Sequence, residues 1–298
     1  MVKGIGGRTG LRHARPSRLS GTPNVWDFVQ KTINTVTAMT SLSPALSTAV
    51  TGSGPALLLA HDVGTQAEND FGTIIPALST GHTVIAPDYP GSAGTPRAEG
   101  PLTLDGLADA IVAAADTAGQ DTFTVLGHSL GAAVAVRAAV RHPERVKGLV
   151  LTAGFVTPDQ RMKITAAMFL DCLARHDFTG YAQLAVLTAF GDTMLSAFTP
   201  DQMEYALKKI AGSVEAGAEE QFTLARTVDV SADLERITVP TLVVAPVEDV
   251  FVSPAASQAL AAGIAGSEYA EIQSGHLVAE AGPAWLARVD EFLAAHGL

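Results

Sequence analysis

The chain has one cysteine, Cys172, in 298 residues. It can form no internal disulfide, and a reduced, cytoplasmic compartment is the expected setting. No Cys/His cluster has the spacing of a zinc site, and nothing in the sequence calls for a metal or a cofactor. Charge is sparse at 16%, and Lys and Arg are outnumbered 19 to 30 by Asp and Glu, for a net charge of −11. That deficit argues against a nucleic-acid surface, which needs clustered bases to neutralise phosphates. No run of about 18 or more apolar residues appears, so no membrane span is expected. The amino terminus also lacks the continuous apolar stretch of about 7 to 15 residues that a secretory signal requires.

What is present is apolar and periodic. Hydrophobic residues make up 47% and mean hydropathy is +0.26, enough to build a large core. The first 38 residues differ from the rest, with six Lys/Arg against the single acid Asp27. Residues 1–39 therefore read as a basic leader, expected to be flexible, with an organellar transit peptide and a natural start at Met39 as other readings. A short helix over Val25 to Met39 is a further option. The glycine cluster at residues 4–7 follows no strand and does not read as a nucleotide loop.

From Pro55 onward short β-branched runs alternate with helical stretches, the pattern of a mostly parallel sheet with helices on both faces. The runs are ALLLA (56–60), TVIAP (83–87), FTVLG (123–127), GLVLTA (148–153), TLVVAP (241–246) and YAEI (269–272). LSTAVTG (46–52) is expected to add an antiparallel edge strand. Between Phe155 and Val239 the rhythm stops for about 80 residues, too long for a loop. Three helices are expected there, over DQRMKITAAMFLDCLARH, YAQLAVLTAF and DQMEYALKKIAGSVEAG. The organisation predicted is a core of residues 40–156 and 240–298, interrupted by a helical cap at 157–239. Met168, Phe169, Leu187, Phe190 and Met194 of that cap are the candidate substrate-binding residues, although helix-to-helix packing explains many apolar positions of this kind.

Gly127-His128-Ser129-Leu130-Gly131 matches Gly-x-Ser-x-Gly between a strand and an Ala-rich helix, the setting in which the motif projects a serine hydroxyl from the carboxyl edge of a sheet. A neutral serine needs a base, and the base needs an acid to orient it. His276 follows the last strand and Asp249 follows TLVVAP, with Glu248 the competing acid. Ser129, Asp249 and His276 are the candidate catalytic residues. The backbone N–H groups of Leu130 and Val63 are the candidate oxyanion hole. His61 is expected to brace its loop. Asp62, whose charge would oppose an oxyanion, is expected to turn its side chain away into loop hydrogen bonds.

These motifs, with DYPGSAGT (88–95), HPERVKGLVL (142–151), ITVPTLVVAPVED (237–249) and SGH (274–276), resemble the α/β-hydrolase superfamily over about residues 43–298. The similarity is to the capped branch of 3-oxoadipate enol-lactonase-like and cofactor-free haloperoxidase-like serine hydrolases. The resemblance implies an eight-stranded-type hydrolase sheet. Two departures stand out: His61-Asp62 where many relatives read His-Gly, and Ala245-Pro246-Val247 where the pattern usually has a glycine.

The expected reaction is hydrolysis of an ester or lactone of a hydrophobic small molecule through an acyl-enzyme, with kcat/KM rising through a histidine pKa of about 6 to 7. The same triad also suits C–C bond cleavage beside a ketone, thioester hydrolysis, acyl transfer or perhydrolysis. A non-catalytic ligand-binding protein on the same fold is the reading from a different class. No nucleic-acid or membrane partner is expected, and the sequence leaves room for a homodimer.

Overall fold

The computed structural model describes residues 45–298. The basic leader and the optional helix over Val25 to Met39 lie outside the described residues.

Seven strands form one sheet in the order β1-β3-β2-β4-β5-β6-β7. They are β1 (Thr48–Gly52), β2 (Ala56–Ala60), β3 (Thr83–Pro87), β4 (Phe123–His128), β5 (Val146–Thr152), β6 (Thr241–Pro246) and β7 (Glu268–Ile272). β1 runs antiparallel to β3 and every other pairing is parallel. The resemblance implied an eight-stranded type, and seven strands lie within the described residues.

Helices α1 (Ala67–Phe71), α2 (Ile75–Leu78), α3 (Leu104–Thr117), α4 (Leu130–Arg141) and, later in the chain, α10 (Pro254–Gly263) and α11 (Val278–His296) connect or cover these strands. Because strand side chains alternate between faces, one run of apolar residues supplies two cores. Leu58, Val125, Leu149 and Val243 join α3 and α4 in one core. Leu57, Leu59, Leu126, Val150 and Val244 pack with Phe71, Trp285 and Phe292 in the other. All five residues of ALLLA are buried, as a strand covered on both faces requires.

Register then sets the site. Ala60 pairs with Gly127, Gly127 with Leu151, Thr152 with Val244, and Pro246 with Ile272. The carboxyl ends of β2, β4, β6 and β7 are therefore level, and their following loops meet at one edge of the sheet.

Five helices, not the expected three, separate β5 from β6: α5 (Gln160–Ala174), α6 (Phe178–Ala189), α7 (Asp192–Ala197), α8 (Pro200–Ala211) and α9 (Ala218–Ala225). The two additional helices, α7 and α9, follow Gly191 and Gly217 and have no side-chain cap, whereas the expected α6 and α8 are capped. Asp177 caps α6 by accepting from Gly180 N, and Thr199 with Gln202 forms a reciprocal capping box at α8. Phe169 of α5 stacks on Phe222 of α9 with ring centroids 4.5 Å apart, and its edge meets Tyr181 of α6 at 4.9 Å.

Candidate active site

The turn from β4 into α4 holds Ser129 at φ 55°, ψ −114°. This is left-handed territory that a side chain enters only when its surroundings demand it. The demand comes from close packing on both sides. A Cβ added to Gly127 would lie 2.3 Å from the carbonyl oxygen of Gly131, and one added to Gly131 would lie 1.9 Å from that of Ala60. Strand and helix meet only because both positions lack a side chain. Ser129 N–H donates to the Thr152 carbonyl at 2.9 Å, which ties the turn to β5.

Asp249 follows β6 and is buried. Its Oδ1 accepts from the backbone N–H groups of Phe251 and Val252, both at 2.8 Å, and its Oδ2 accepts from His276 Nδ1 at 2.6 Å. The imidazole is thereby oriented with Nε2 facing the cavity. Glu248, the competing acid, is turned to the other side. It accepts from Thr193 N at 2.8 Å and also engages the Thr193 hydroxyl and the Gln273 amide.

Asp62 corrects the sequence expectation. Its side chain does not turn away; it enters the site. Oδ1 accepts from Val63 N at 2.6 Å, Oδ2 lies 3.2 Å from His276 Nε2, and the Ser129 hydroxyl faces the same carboxylate. The physical reason is a charged partner: His276, its pKa raised, offers the carboxylate a charge-assisted donor. Two further expectations change with it. The Val63 N–H is engaged by Asp62 Oδ1, and His276 Nε2 faces Asp62 with no hydrogen bond to Ser129. The Leu130 N–H lies at the first turn of α4, where a helix has no internal partner for it.

Asp70 and His128 are site residues that the sequence reading did not single out. Asp70 Oδ2 accepts from Asp62 N at 2.8 Å, and Asp70 Oδ1 accepts from His128 Nδ1 at 2.7 Å. His128 Nε2 then donates to the His276 carbonyl at 2.8 Å. Both nitrogens of His128 face acceptors, so the ring is held as the imidazolium. Burial opposes that charge, yet the adjacent Asp70 carries the pKa above its ordinary value. The chain Asp62–Asp70–His128–His276 joins the loops after β2, β4 and β7. No short motif spells out such a network, and within α1, AENDF, Asp70 is one of three polar residues with nothing to single it out.

The same electrostatics act on the central pair. Burial works against a charged His276, but the carboxylates of Asp249 and Asp62 raise its pKa well above 6.5, beyond the expected range of about 6 to 7. Burial likewise opposes ionisation of Asp62, and the facing His276 outweighs it, holding the carboxyl below the usual range. His61 braces the loop as expected: Nδ1–H donates to the Asp62 carbonyl at 2.7 Å and Nε2 accepts from Tyr89 N at 2.9 Å. Burial lowers its pKa. Among the described residues, no group of three or more His, Cys, Asp or Glu is arranged to hold a metal ion.

A cavity of about 350 Å³ opens onto this constellation. Asp62 and His276 line it, together with Phe169, Phe190, Phe222 and Phe251. Of the five candidate substrate-binding residues, Phe169 and Phe190 reach it. Met168 and Leu187 do not: they are 50% and 64% exposed, on the outer faces of α5 and α6. Met194, in α7, is not part of the lining either. Adjacent helical residues point about 100° apart, so turning Phe169 inward turns Met168 out.

The comparisons with known proteins agree with this architecture. A pyrrolizixenacetamide deacetylase of Xenorhabdus hominickii is 32% identical over 234 residues, covering 78% of this chain and 88% of the relative. A pimeloyl-[acyl-carrier protein] methyl ester esterase of Neisseria meningitidis serogroup A is 30% identical over 210 residues, 66% of this chain and 63% of that one. The solved enol-lactonase of Burkholderia xenovorans LB400 superposes with a TM-score of 0.74 at 21% identity, over 84% of this chain and 96% of its own. The family model for the alpha/beta hydrolase fold matches residues 55–283, and the chain belongs to that family as a hydrolase.

Proposed function

We propose that this hydrolase is a serine acyl hydrolase that cleaves a carboxylic ester or lactone of a hydrophobic small molecule. Ser129 is the nucleophile, His276 its base and Asp249 the residue that holds His276. The observation that carries the reading is the Asp249–His276 contact of 2.6 Å, which orients an imidazole that lines the cavity, with Ser129 on a strained strand-to-helix turn at the same edge of the sheet.

In the reaction the neutral His276 takes the Ser129 proton as Oγ attacks the carbonyl carbon. The same proton passes to the leaving oxygen, and water attacks the acyl-enzyme in a second, mirror-image step. The Leu130 N–H stabilises the developing oxyanion, joined by the Val63 N–H once Asp62 Oδ1 has released it. Residues 157–239 serve as the cap, and their phenylalanines set an apolar acyl site. The two relatives named above, both at 30% identity or more, carry names of acyl-bond hydrolases, which supports the reaction class and leaves the bond type open.

Ser129→Ala tests the assignment. Turnover of p-nitrophenyl esters should fall by at least about 1000-fold, and labelling by a fluorophosphonate probe should vanish, while the circular dichroism spectrum stays unchanged. Ester turnover at the wild-type rate in Ser129→Ala would sink it.

A further inference from the structure

Asp62 is a charged group of the site for which ester hydrolysis has no use. Its carboxylate holds two of the groups that a scissile bond must engage, the Val63 N–H at 2.6 Å and His276 Nε2 at 3.2 Å, and the Ser129 hydroxyl faces it. Those contacts have to open before a carbonyl carbon can reach Ser129. A buried carboxylate that loses its donors is destabilised unless the incoming group supplies one in exchange.

Acyl compounds differ in what they supply. An ester brings only acceptors, so its carbonyl can replace Asp62 at Val63 N–H but gives the displaced carboxylate nothing. A secondary amide brings both partners, a carbonyl oxygen for Val63 and Leu130 and an N–H for the carboxylate. Geometry sets where that N–H falls. The leaving atom must sit beside His276 Nε2 to receive its proton, and Asp62 Oδ2 is already 3.2 Å from that nitrogen. A leaving nitrogen in that position has Oδ2 within hydrogen-bond reach, whereas a leaving ester oxygen there meets the carboxylate lone pair to lone pair.

We infer, building on the serine-hydrolase reading above, that Asp62 is a specificity-determining residue that favours secondary amides over esters by accepting the N–H of the scissile bond. The Ser129 Oγ–carbon bond forms and the carbon–nitrogen bond breaks. The proton leaving Ser129 travels through His276 to the departing amine, and water then releases the acid. Asp62 accepts a hydrogen bond throughout and transfers no proton. The phenylalanines across the cavity call for apolar groups on the amide.

The test uses three matched substrates with one acyl chain: the p-nitrophenyl ester, the p-nitroanilide and the N-methyl-p-nitroanilide, which lacks the N–H. Each rate is divided by the compound's alkaline hydrolysis rate, so that intrinsic reactivity cancels. The wild type should favour the anilide over its N-methyl analogue by tenfold or more. In Asp62→Ala and Asp62→Ser that advantage should collapse to within about twofold, while ester turnover rises as the carboxylate no longer faces the ester oxygen. Absence of any advantage in the wild type, or a parallel change on all three substrates in both variants, overturns the inference. Fluorophosphonate labelling of Ser129 reports whether each variant is folded; if Asp62→Ala does not label, Asp62→Ser and the wild-type ratio decide. Residual ester turnover in Ser129→Ala would instead bring down the underlying serine-hydrolase reading, whatever the ratios.

Discussion

Two carboxylates flank one imidazole, and the loops that carry them hold them in different ways. Asp249 is tied down by two backbone N–H groups at 2.8 Å, and Oδ2 is left with the single task of holding His276 Nδ1. Asp62 hydrogen-bonds only the N–H of the next residue and the far side of the same imidazole, faces the Ser129 hydroxyl, and borders the cavity. The first carboxylate is fixed by its own loop; the second is held by groups that a ligand can claim. The lesson is that proximity to a buried histidine does not assign a role. How many of a side chain's bonds survive ligand entry does.

The strongest way to break this comparison is to neutralise each acid in turn. Asp249→Asn should lower kcat on esters by about 1000-fold or more, because the histidine loses both its tautomer control and its counter-charge. Asp62→Asn should not lower it, and steady-state kinetics on a p-nitrophenyl ester separate the two. Equal losses would mean that both acids serve the same step.

A second, smaller effect lies in pH. Both acids raise the His276 pKa, so ester kcat/KM should increase with pH through a midpoint above 6.5, and Asp62→Asn should move that midpoint to lower pH. Stability carries the opposite sign. A histidine whose pKa is raised by folding stabilises the protein fully below its unfolded value of about 6.5, and that contribution is lost as pH rises through the folded value. His128, raised by Asp70, adds in the same direction. Melting temperature should therefore decline from pH 6 to 9, and less steeply in Asp62→Asn. A midpoint unmoved in that variant would mean that the 3.2 Å contact is electrostatically idle.

The least effect belongs to Glu248, one residue from Asp249 and bound on the exposed side to Thr193 and Gln273. Glu248→Gln should change ester kcat/KM by no more than about twofold. A loss approaching that of Asp249→Asn would reassign the acid.

What could be read in advance follows the same division. That Ser129, Asp249 and His276 would meet at one edge of the sheet was legible because each follows a strand, and a parallel sheet brings strand ends together whatever lies between them. The side chain of Asp62 was misjudged because an Asx residue in a loop has several local partners, and its rotamer was decided by His276, 214 positions away in sequence. Asp70 and His128 are single polar residues without a spacing rule. In α5, Met168 and Phe169 are both apolar, and composition does not distinguish the neighbour that faces the cavity from the one that faces water. Of the five helices after β5, the two that the sequence reading missed, α7 and α9, span only 6 and 8 residues, too few for a hydrophobic period to mark.

The turn at Ser129 also limits how this site can be altered by evolution or by design. With backbone carbonyls 2.3 and 1.9 Å from where side chains at Gly127 and Gly131 would begin, even a methyl group at Gly127 would part β4 from α4, and one at Gly131 would part α4 from β2. Mutational libraries aimed at new substrates have nothing to gain there. The variable ground is the opposite wall, at Phe169, Phe190 and Phe222, where a change of shape leaves the nucleophile's backbone untouched.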